Sequence, residues 1–244
     1  MIVLFTDFGL EGPYVGQMKA VLQRDAPSIP VIDLFHDVPA HEVSSGAYLL
    51  RALAGEFDRS TVFLCVVDPG VGSEERLPVV VLADGQWFVG PGNGLFGPLA
   101  KEATAARCWE ITWRPERLSA TFHGRDLFAP VAARLAIGEP PPGQERNLAI
   151  AIIESWPAEL AQIIYIDRFG NGVTGTRART IDPSALLEVN GHRLERARIY
   201  SDVSPGQAFW YANANGLVEI AVNRGRADEK LGLKVGLEVA WRLP

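Results

Sequence analysis

The sequence lacks the features that stabilise secreted proteins or anchor proteins in membranes. Only two of its 244 residues are cysteines, and Cys65 lies within an apolar run, so no disulfide framework is indicated. No apolar run approaches the roughly 20 residues that a helix needs to cross a bilayer. Because Met1 leads directly into the first strand pattern, we expect no signal peptide and a cytoplasmic protein.

Positive charge is also scarce for a protein that would bind nucleic acid. The formal net charge is −6, which argues against nucleic acid and against an anionic membrane surface as partners. Hydrophobic residues make up 48% of the chain, so a substantial core can form and wholesale disorder is excluded. The composition therefore predicts a soluble, folded protein.

The first half of the chain alternates strand and helix patterns. Apolar runs of strand length cover Ile2–Thr6, Val31–Phe35 and the segment that begins at Thr61, whereas 13–24 and 42–57 have helical spacing. Strands that alternate with helices predict a largely parallel, doubly wound sheet with flanking helices.

Two further elements follow in this half. A hairpin is predicted around Asp84-Gly85, because apolar strand patterns flank this turn signal. A further helix is predicted over 126–137, provided that Pro130 lies in or near its first turn. The fold class of this half is therefore α/β.

The second half of the chain has a different sequence pattern. Three consecutive prolines in 139–143 indicate a linker, which divides the chain into an N-terminal domain over 1–143 and a C-terminal domain over 144–244. Beyond the linker, short strand-like runs are separated by turn signals such as Asn190-Gly191. Closely spaced strands without helices are typical of a small β-barrel or sandwich, and we expect a small C-terminal β-barrel.

Polar residues collect at the predicted ends of the strands. Asp68 ends the buried run that begins at Thr61, and Arg76 follows closely enough to fold back over the turn at Pro69-Gly70. The carboxyl ends of parallel strands meet at one edge of a sheet, where α/β proteins bind ligands. The clusters that we expect at this edge are Asp7; Asp33, His36 and Asp37; Asp68 and Arg76; Asn93; 121–126; and 167–171.

One hypothesis for this edge is a metal centre. Asp33, His36 and Asp37 offer three ligands, and Asp7 and His123 offer two more. Such a site would support a metal-dependent phosphohydrolase. The spacing is not diagnostic, since His36 could equally cap the end of a strand.

A second hypothesis needs no metal. Asp68, Arg76 and His123 could form a hydrogen-bonded cluster that positions and polarises a water molecule. Free water has a pKa of about 15.7 and is a poor nucleophile without a base or a positive charge beside it. Arg76 supplies a permanent cation and His123 a proton acceptor, while Asp68 orients either one. Alternatively, His123 is a buried histidine that is bonded to the backbone.

Five ordered motifs give a context for these residues. They are Thr6-Asp7-Phe8-Gly9 with Tyr14-Val15-Gly16, Val67-Asp68-Pro69-Gly70-Val71-Gly72 with Arg76, Phe88-Val89-Gly90-Pro91 with Asn93-Gly94-Leu95, Thr121-Phe122-His123-Gly124-Arg125-Asp126, and Asp167 with Phe169-Gly170-Asn171. In this order, and along the whole chain, the motifs resemble the S-adenosylmethionine (SAM) hydrolase family, also called SAM hydroxide adenosyltransferases. The fluorinases and chlorinases are related to that family.

The resemblance implies an N-terminal α/β domain, a C-terminal β-barrel and a homotrimer with sites between subunits. It also implies hydrolysis of SAM to adenosine and L-methionine with no metal and no cofactor. Asp68, Arg76 and His123 match the water-activating triad of the hydrolases. The halogenases match less well, since they have a tyrosine at the position of Asp68, and the fluorinase has a serine at that of Gly124.

The resemblance also implies a set of substrate-binding residues. These are Asp7 for the ribose hydroxyls, Phe122 for an aromatic wall near the reacting carbon, Asp167 for the methionine ammonium, Asn171 for the adenine, and Tyr14, Gly124, Phe169, Asn213 and Asn215 elsewhere in the site. The chain departs from the fluorinase at Ala214-Asn215, where that enzyme has a Ser-Arg pair that meets the methionine carboxylate. Beside SAM hydrolysis, the metal-dependent phosphohydrolase and a non-catalytic adenosine-binding protein remain as alternatives.

Overall fold

The computed structural model describes residues 1–73 and 76–243. The chain forms two compact units, Met1–Ser155 and Trp156–Pro244, each with its own core. We describe the two units separately.

The first unit alternates strands and helices, as the sequence predicts. Its elements are β1 (Ile2–Thr6), α1 (Tyr14–Asp25), β2 (Val31–Phe35), α2 (Val43–Ala54), β3 (Val62–Val66), β4 (Pro78–Ala83), β5 (Gln86–Pro91), α3 (Gly97–Glu102), β6 (Ala106–Ile111), α4 (Ala129–Ala136) and β7 (Gly143–Arg146).

These strands form one sheet in the order β2-β1-β3-β5-β4-β6-β7. The pairs β1–β2, β1–β3 and β3–β5 are parallel, whereas β4, β6 and β7 join the sheet antiparallel. Every residue of β1 and β3 is buried, because helices cover both faces of the sheet. On one face, Leu4 and Leu64 pack with Met18 of α1 and Val131 of α4.

The predicted hairpin is confirmed. β4 and β5 pair from Pro78 opposite Pro91 to Ala83 opposite Gln86, with Asp84 and Gly85 in the turn. Both turn residues have positive φ, 46° for Asp84 and 92° for Gly85, as a tight two-residue hairpin turn requires.

The helix predicted over 126–137 begins differently. A π-helical turn covers Gly124–Phe128, and α4 begins only at Ala129. The backbone N–H of Ala129 donates to the carbonyl of Gly124, which is the wider hydrogen-bond pattern of a π-helix. Pro130 lies in the first turn of α4, where its missing N–H costs little.

The division between the units falls later than the predicted linker. β7 pairs antiparallel with β6, with Gly143 opposite Ile111, so the first sheet continues past the prolines. Prolines cannot donate to a strand ladder, and here they directly precede an edge strand. The compact units divide after Ser155.

The second unit is built mainly of antiparallel strands. Its elements are β8 (Leu160–Ile166), β9 (Gly172–Arg177), β10 (Leu186–Val189), β11 (His192–Leu194), β12 (Ala208–Ala212), β13 (Leu217–Val222), α5 (Ala227–Leu231) and β14 (Ala240–Arg242). The strand orders in the two sheets are β12-β13-β9-β8 and β11-β10-β14.

Isolated bridges join the two sheets at both of their edges. Gln162 of β8 pairs with Glu238, just before β14, and Arg196, just after β11, pairs with Trp210 of β12. The second unit therefore consists of two antiparallel sheets linked by isolated bridges, and the closed barrel remains a prediction. The short helix α5 was not predicted, because five residues are too few to show helical periodicity.

Two predictions from composition concern the whole described chain. Cys65 and Cys108 are both buried free thiols, one on β3 and the other on β6. Burial raises the pKa of the Cys65 thiol well above its ordinary value. Within residues 1–73 and 76–243, no helix combines the length and the apolar character that spanning a membrane requires.

Candidate active site

Two carboxylates lie at the carboxyl ends of neighbouring parallel strands. Asp7 follows β1 directly, and Asp68 follows β3 after Val67. The register pairs Thr6 with Val66, so both strands end at the same edge of the sheet. The backbone N–H of Asp7 donates to the carbonyl of Val66 at 3.4 Å. The predicted convergence of Asp7 and Asp68 therefore follows from the strand register.

Asp68 is the most unusual of these groups. Its side chain is only 8% exposed, and its Oδ1 lies 3.8 Å from Nη1 of Arg76. Oδ1 is buried and has no hydrogen-bond partner in the described part of the chain. Burial raises the pKa of Asp68, while a backbone hydrogen bond from Gly70 and the electrostatic influence of Arg76 and His123 oppose that rise. Asp68 thus presents a buried acceptor beside a permanent cation.

Arg76 reaches Asp68 by crossing the turn at Gly70. A Cβ at position 70 would lie 2.8 Å from Nη1 of Arg76, so the guanidinium occupies the space that any side chain would need. A side chain at position 70 would therefore displace the Arg76 guanidinium from its place beside Asp68.

His123 completes the group that the sequence predicts. It immediately precedes the π-helical turn, and its ring lies edge-on to Phe128 at a centroid distance of 6.5 Å. Asp68 and His123 together line two cavities, one of about 300 Å³ and one of about 430 Å³ that also contains Arg76. The structure therefore brings Asp68, Arg76 and His123 together.

The smaller cavity has an aromatic wall. Phe8, Tyr14 and Phe122 contact one another, with centroid distances of 5.7 Å, 5.9 Å and 5.4 Å. Gly124 lies beneath this wall, where a Cβ would come within 3.3 Å of the Phe122 ring. Asp7 lines the same cavity as these residues. The cavity therefore combines carboxylates with an apolar, aromatic surface.

Two residues that support this edge were not assigned a role from the sequence. The backbone N–H of His41 donates to Oδ2 of Asp7 at 3.0 Å, and His41 has a φ of 67° and lines the smaller cavity. Asn93 is buried and donates through Nδ2 to the carbonyl of Val67 at 2.8 Å. Asn93 belongs to one of the ordered motifs, so the sequence contains a signal for it, whereas no sequence pattern marks His41.

His36 and Asp33, two residues of the metal hypothesis, are bonded to other side chains of the protein. Nδ1 of the buried His36 lies 2.8 Å from the Thr6 hydroxyl, and its Nε2 lies 3.2 Å from Oδ1 of Asp33. Asp33 also pairs with Lys19 at 2.8 Å. Within the described ranges, His, Cys, Asp and Glu side chains form no group of three or more that could hold a metal. His36 instead ties the end of β2 to β1.

In the second unit, Asp167 organises a tight loop. Its Oδ1 accepts hydrogen bonds from the backbone N–H groups of Phe169 and Asn171, at 2.9 Å and 2.8 Å. Its Oδ2 accepts one from Nδ2 of Asn171 at 3.0 Å. Asn171 is buried, whereas Phe169 is 74% exposed. Asp167 and Asn171 therefore form one rigid unit with Phe169 displayed beside it.

Asn213 and Asn215 lie in the turn between β12 and β13. Oδ1 of Asn213 accepts from the backbone N–H groups of Asn215 and Leu217, at 3.0 Å and 2.9 Å, and therefore shapes this turn. Nδ2 of Asn213 donates to Glu219 at 3.0 Å. Asn215 is exposed at the tip of the turn. The predicted role of these two residues in binding substrate remains a prediction.

Comparison with known proteins identifies the family. The SAM hydroxide adenosyltransferase N-terminal domain matches residues 2–144, and the SAM hydroxide adenosyltransferase C-terminal domain matches residues 161–240. These two matches cover most of the chain, so the protein belongs to the SAM hydroxide adenosyltransferase family. The resemblance inferred from the ordered motifs is therefore confirmed.

Individual relatives agree with this assignment. An (R)-S-adenosyl-L-methionine hydrolase of Thermus thermophilus is 38% identical, over 98% of this chain and 98% of the relative. One of Salinispora tropica is 36% identical, over 95% of this chain and 93% of the relative. A fluorinase of Nocardia brasiliensis is more distant, at 26% identity over 98% of this chain and 95% of the relative.

A solved structure supports the fold. The crystal structure of an uncharacterized conserved protein from Thermotoga maritima superimposes with a TM-score of 0.89 and 34% identity, over 99% of both chains. The predicted fold class therefore holds along the whole chain.

Proposed function

We propose that this protein hydrolyses S-adenosyl-L-methionine to adenosine and L-methionine, and that it prefers the (R) configuration at sulfur named for its relatives. The observation that carries the proposal is the buried Oδ1 of Asp68, which has no hydrogen-bond partner among the described residues and lies beside Arg76 and His123. In the halogenases, as the resemblance implies, a tyrosine replaces this aspartate. In this proposal, the Asp68 carboxylate, which can accept a proton from water, distinguishes an enzyme that hydrolyses SAM from one that attacks it with halide.

The proposed reaction is an in-line displacement at C5′ of the adenosyl group. The water oxygen forms a bond to C5′ while the bond from C5′ to sulfur breaks, and the electron pair of that bond remains on sulfur as the neutral thioether of methionine. A water proton passes to the cluster of Asp68 and His123. The leaving sulfur needs no acid, so the protein acts by aligning oxygen, carbon and sulfur and by excluding bulk water.

Other residues hold the substrate in this proposal. Asp7, fixed by the backbone of His41, holds the ribose hydroxyls, and Phe122 lines the region of the reacting carbon. Asp167 meets the methionine ammonium and Asn171 the adenine. No metal and no cofactor takes part. The cytoplasmic location is proposed from the sequence alone.

The direct test is turnover of SAM. Purified protein is incubated with each of the two sulfur epimers between about pH 6 and 9, and adenosine and methionine are followed by chromatography. We expect equal amounts of both products, faster from the (R) epimer and unaffected by a chelator. No product from either epimer would contradict the proposal. Nucleotide hydrolysis that requires an added metal would support the phosphohydrolase instead.

We also propose that the active unit is a homotrimer whose sites lie between subunits. Asp68→Asn and Asp167→Asn each remove one essential carboxylate, from different units of the chain. If one subunit supplies Asp68 and its neighbour supplies Asp167, mixed trimers regain about a quarter of the wild-type sites by random assortment. Co-expression of the two variants and assay of the purified mixture tests this. Activity no higher than that of either variant alone would contradict shared sites.

A further inference from the structure

A buried carboxylate in the second unit has no role in the proposed reaction. Glu219 lies on β13, opposite Tyr211 of β12, and is 6% exposed. Its Oε1 accepts a hydrogen bond from the Tyr211 hydroxyl, and its Oε2 accepts one from Nδ2 of Asn213 at 3.0 Å. Both oxygens are thus satisfied by neutral donors, which is uncommon for a buried charge.

A continuous chain of hydrogen bonds connects Glu219 to Asn171. The Tyr211 hydroxyl lies 3.3 Å from the Tyr200 hydroxyl, and the latter accepts from Nδ2 of Asn171 at 3.0 Å. The same Nδ2 donates to Oδ2 of Asp167 at 3.0 Å. The rings of Tyr200 and Tyr211 also pack against each other at 5.7 Å, which holds the two hydroxyls in place.

The groups at the two ends of this hydrogen-bond network determine which group donates and which accepts in each bond. Burial and the hydrogen bond to Glu219 raise the pKa of Tyr211, so its hydroxyl stays protonated. Because a carboxylate can only accept, Tyr211 gives its one proton to Glu219. Tyr200 must then donate to Tyr211 and accept from Asn171. The two N–H groups of the Asn171 amide are therefore committed to Tyr200 and Asp167.

This arrangement fixes which way the Asn171 amide faces. With both N–H groups engaged, only Oδ1 of Asn171 is left for a ligand, and Oδ1 can only accept. The matching ligand group is a donor, such as the exocyclic amino group of adenine. A 6-oxo purine presents a carbonyl oxygen at that place, and the two acceptors would face each other without a proton between them.

We propose that Glu219 is a positioning residue which, through Tyr211 and Tyr200, orients the Asn171 amide and so makes the base site select a 6-amino purine over a 6-oxo purine. This inference rests on the proposed function, because that function places the adenine at Asn171. A site that binds a substrate amino group through a buried acceptor rejects analogues that cannot donate, since its acceptor is left unpaired.

The test compares adenosine with inosine, which differ at this group. Dissociation constants are measured by calorimetry for the full-length wild type, for Glu219→Gln and for Tyr211→Phe. We expect the wild type to prefer adenosine, and both variants to lose about tenfold of that preference. The loss arises because Tyr200 no longer has to accept from Asn171, so one of the two acceptors that hold the Asn171 amide is lost and only Asp167 still orients it. In SAM hydrolysis, we expect KM to rise more than kcat falls.

Glu229→Gln is the matched control, since it makes the same chemical change on a side chain that is 75% exposed in the same unit. It should leave the preference unchanged. Tyr211→Phe keeps the aromatic packing and the buried carboxylate, so it serves if Glu219→Gln folds poorly. Folded variants with the wild-type preference would overturn the inference. Equal weakening of adenosine and inosine would also overturn it, because that result indicates structural support without orientation.

The binding assay also separates this inference from the proposed function. Wild type that binds adenosine but does not turn over SAM contradicts hydrolysis and leaves the role of Glu219 measurable. Wild type that turns over SAM but binds adenosine and inosine equally overturns the role of Glu219 alone. Wild type that neither turns over SAM nor binds either nucleoside overturns both.

Discussion

The two units each bury a carboxylate, and they treat it in opposite ways. Asp68 has one oxygen, Oδ1, with no donor among the described residues, and Arg76 lies 3.8 Å from that oxygen. Glu219 has a donor on each oxygen and lies between two strands of its sheet. Asp68 retains an oxygen that can accept a hydrogen bond from a reacting molecule, whereas both oxygens of Glu219 already accept hydrogen bonds from neighbouring side chains.

The difference shows how the same group can serve chemistry or architecture. A buried acceptor without a partner destabilises the folded protein. Such acceptors are found at functional sites, where a ligand that donates a hydrogen bond offsets the loss. A fully bonded carboxylate costs less and fixes the geometry of the groups around it. Asp68, whose Oδ1 has no donor among the described residues, should therefore control the rate, and Glu219, whose two oxygens are both bonded, should control geometry.

The largest expected effect is that of Asp68→Asn, which removes the charge and keeps the shape. We expect kcat to fall by about 100-fold or more, the size typical of lost acid–base assistance, while adenosine still binds. Steady-state kinetics and calorimetry measure the two effects. Asp33→Asn removes an exposed carboxylate from the same unit and is the matched control. Loss of activity in the control would instead favour the metal hypothesis.

The second prediction distinguishes the role of Asp7 from that of Asp68, although both residues lie at the ends of neighbouring strands. Asp7→Asn weakens a contact to the ribose that is similar in the ground state and the transition state. KM should therefore rise by about tenfold or more with a smaller change in kcat. Initial rates over a range of SAM concentrations measure both constants. A fall in kcat with unchanged KM would place Asp7 in the chemical step.

A smaller effect is expected when Arg76 is displaced and Asp68 is left intact. In Gly70→Ala, the added methyl group would lie 2.8 Å from Nη1 of Arg76, so the guanidinium must move away from Asp68. We expect kcat to fall by roughly fivefold, because a flexible side chain can partly accommodate the change. Gly16→Ala, at an exposed helix position with nothing near its Cβ, is the control. Equal activity of the two variants would remove Arg76 from the reaction.

The smallest effect is on stability, and it should differ in sign between the two carboxylates. Burial raises the pKa of Asp68 in the folded state, so its contribution to stability is greatest at low pH and is lost as pH rises through that pKa. Asp68→Asn should therefore raise Tm at pH 7 by about 2–4 °C, and this gain should vanish in acid. Glu219→Gln should lower Tm at pH 7 by a similar amount. Thermal scans at two pH values measure this, and shifts of the same sign would contradict the comparison.

The sequence predicted that Asp7 and Asp68 lie at one edge of the sheet, because only a few general rules determine that placement. Alternating strands and helices give parallel strands, and parallel strands bring their carboxyl ends together, so Asp7 and Asp68 had to be neighbours. The network around Glu219 was beyond that reasoning. It depends on the register that sets Glu219 opposite Tyr211 and on a loop that returns Tyr200 to Asn171, and neither is written in a local pattern.

Other differences have equally local causes. The prolines in 139–143 resemble a linker, yet they precede an edge strand, and a strand with no buried residue, such as β7, has no apolar pattern to reveal it. The bond from Asn93 to the carbonyl of Val67 joins two loops that are distant in sequence. Only the folded chain shows such contacts.

The register between β1 and β3 also determines how long the catalytic edge stays intact. The backbone amides of both strands are buried in the parallel ladder that ends at Thr6 and Val66. Amides in such central strands exchange with deuterated solvent only when the whole unit opens, whereas loop amides exchange through local fluctuations. We therefore expect the strands that precede Asp7 and Asp68 to be among the slowest to exchange in the first unit. The spacing between the two carboxylates should persist for as long as that unit remains folded.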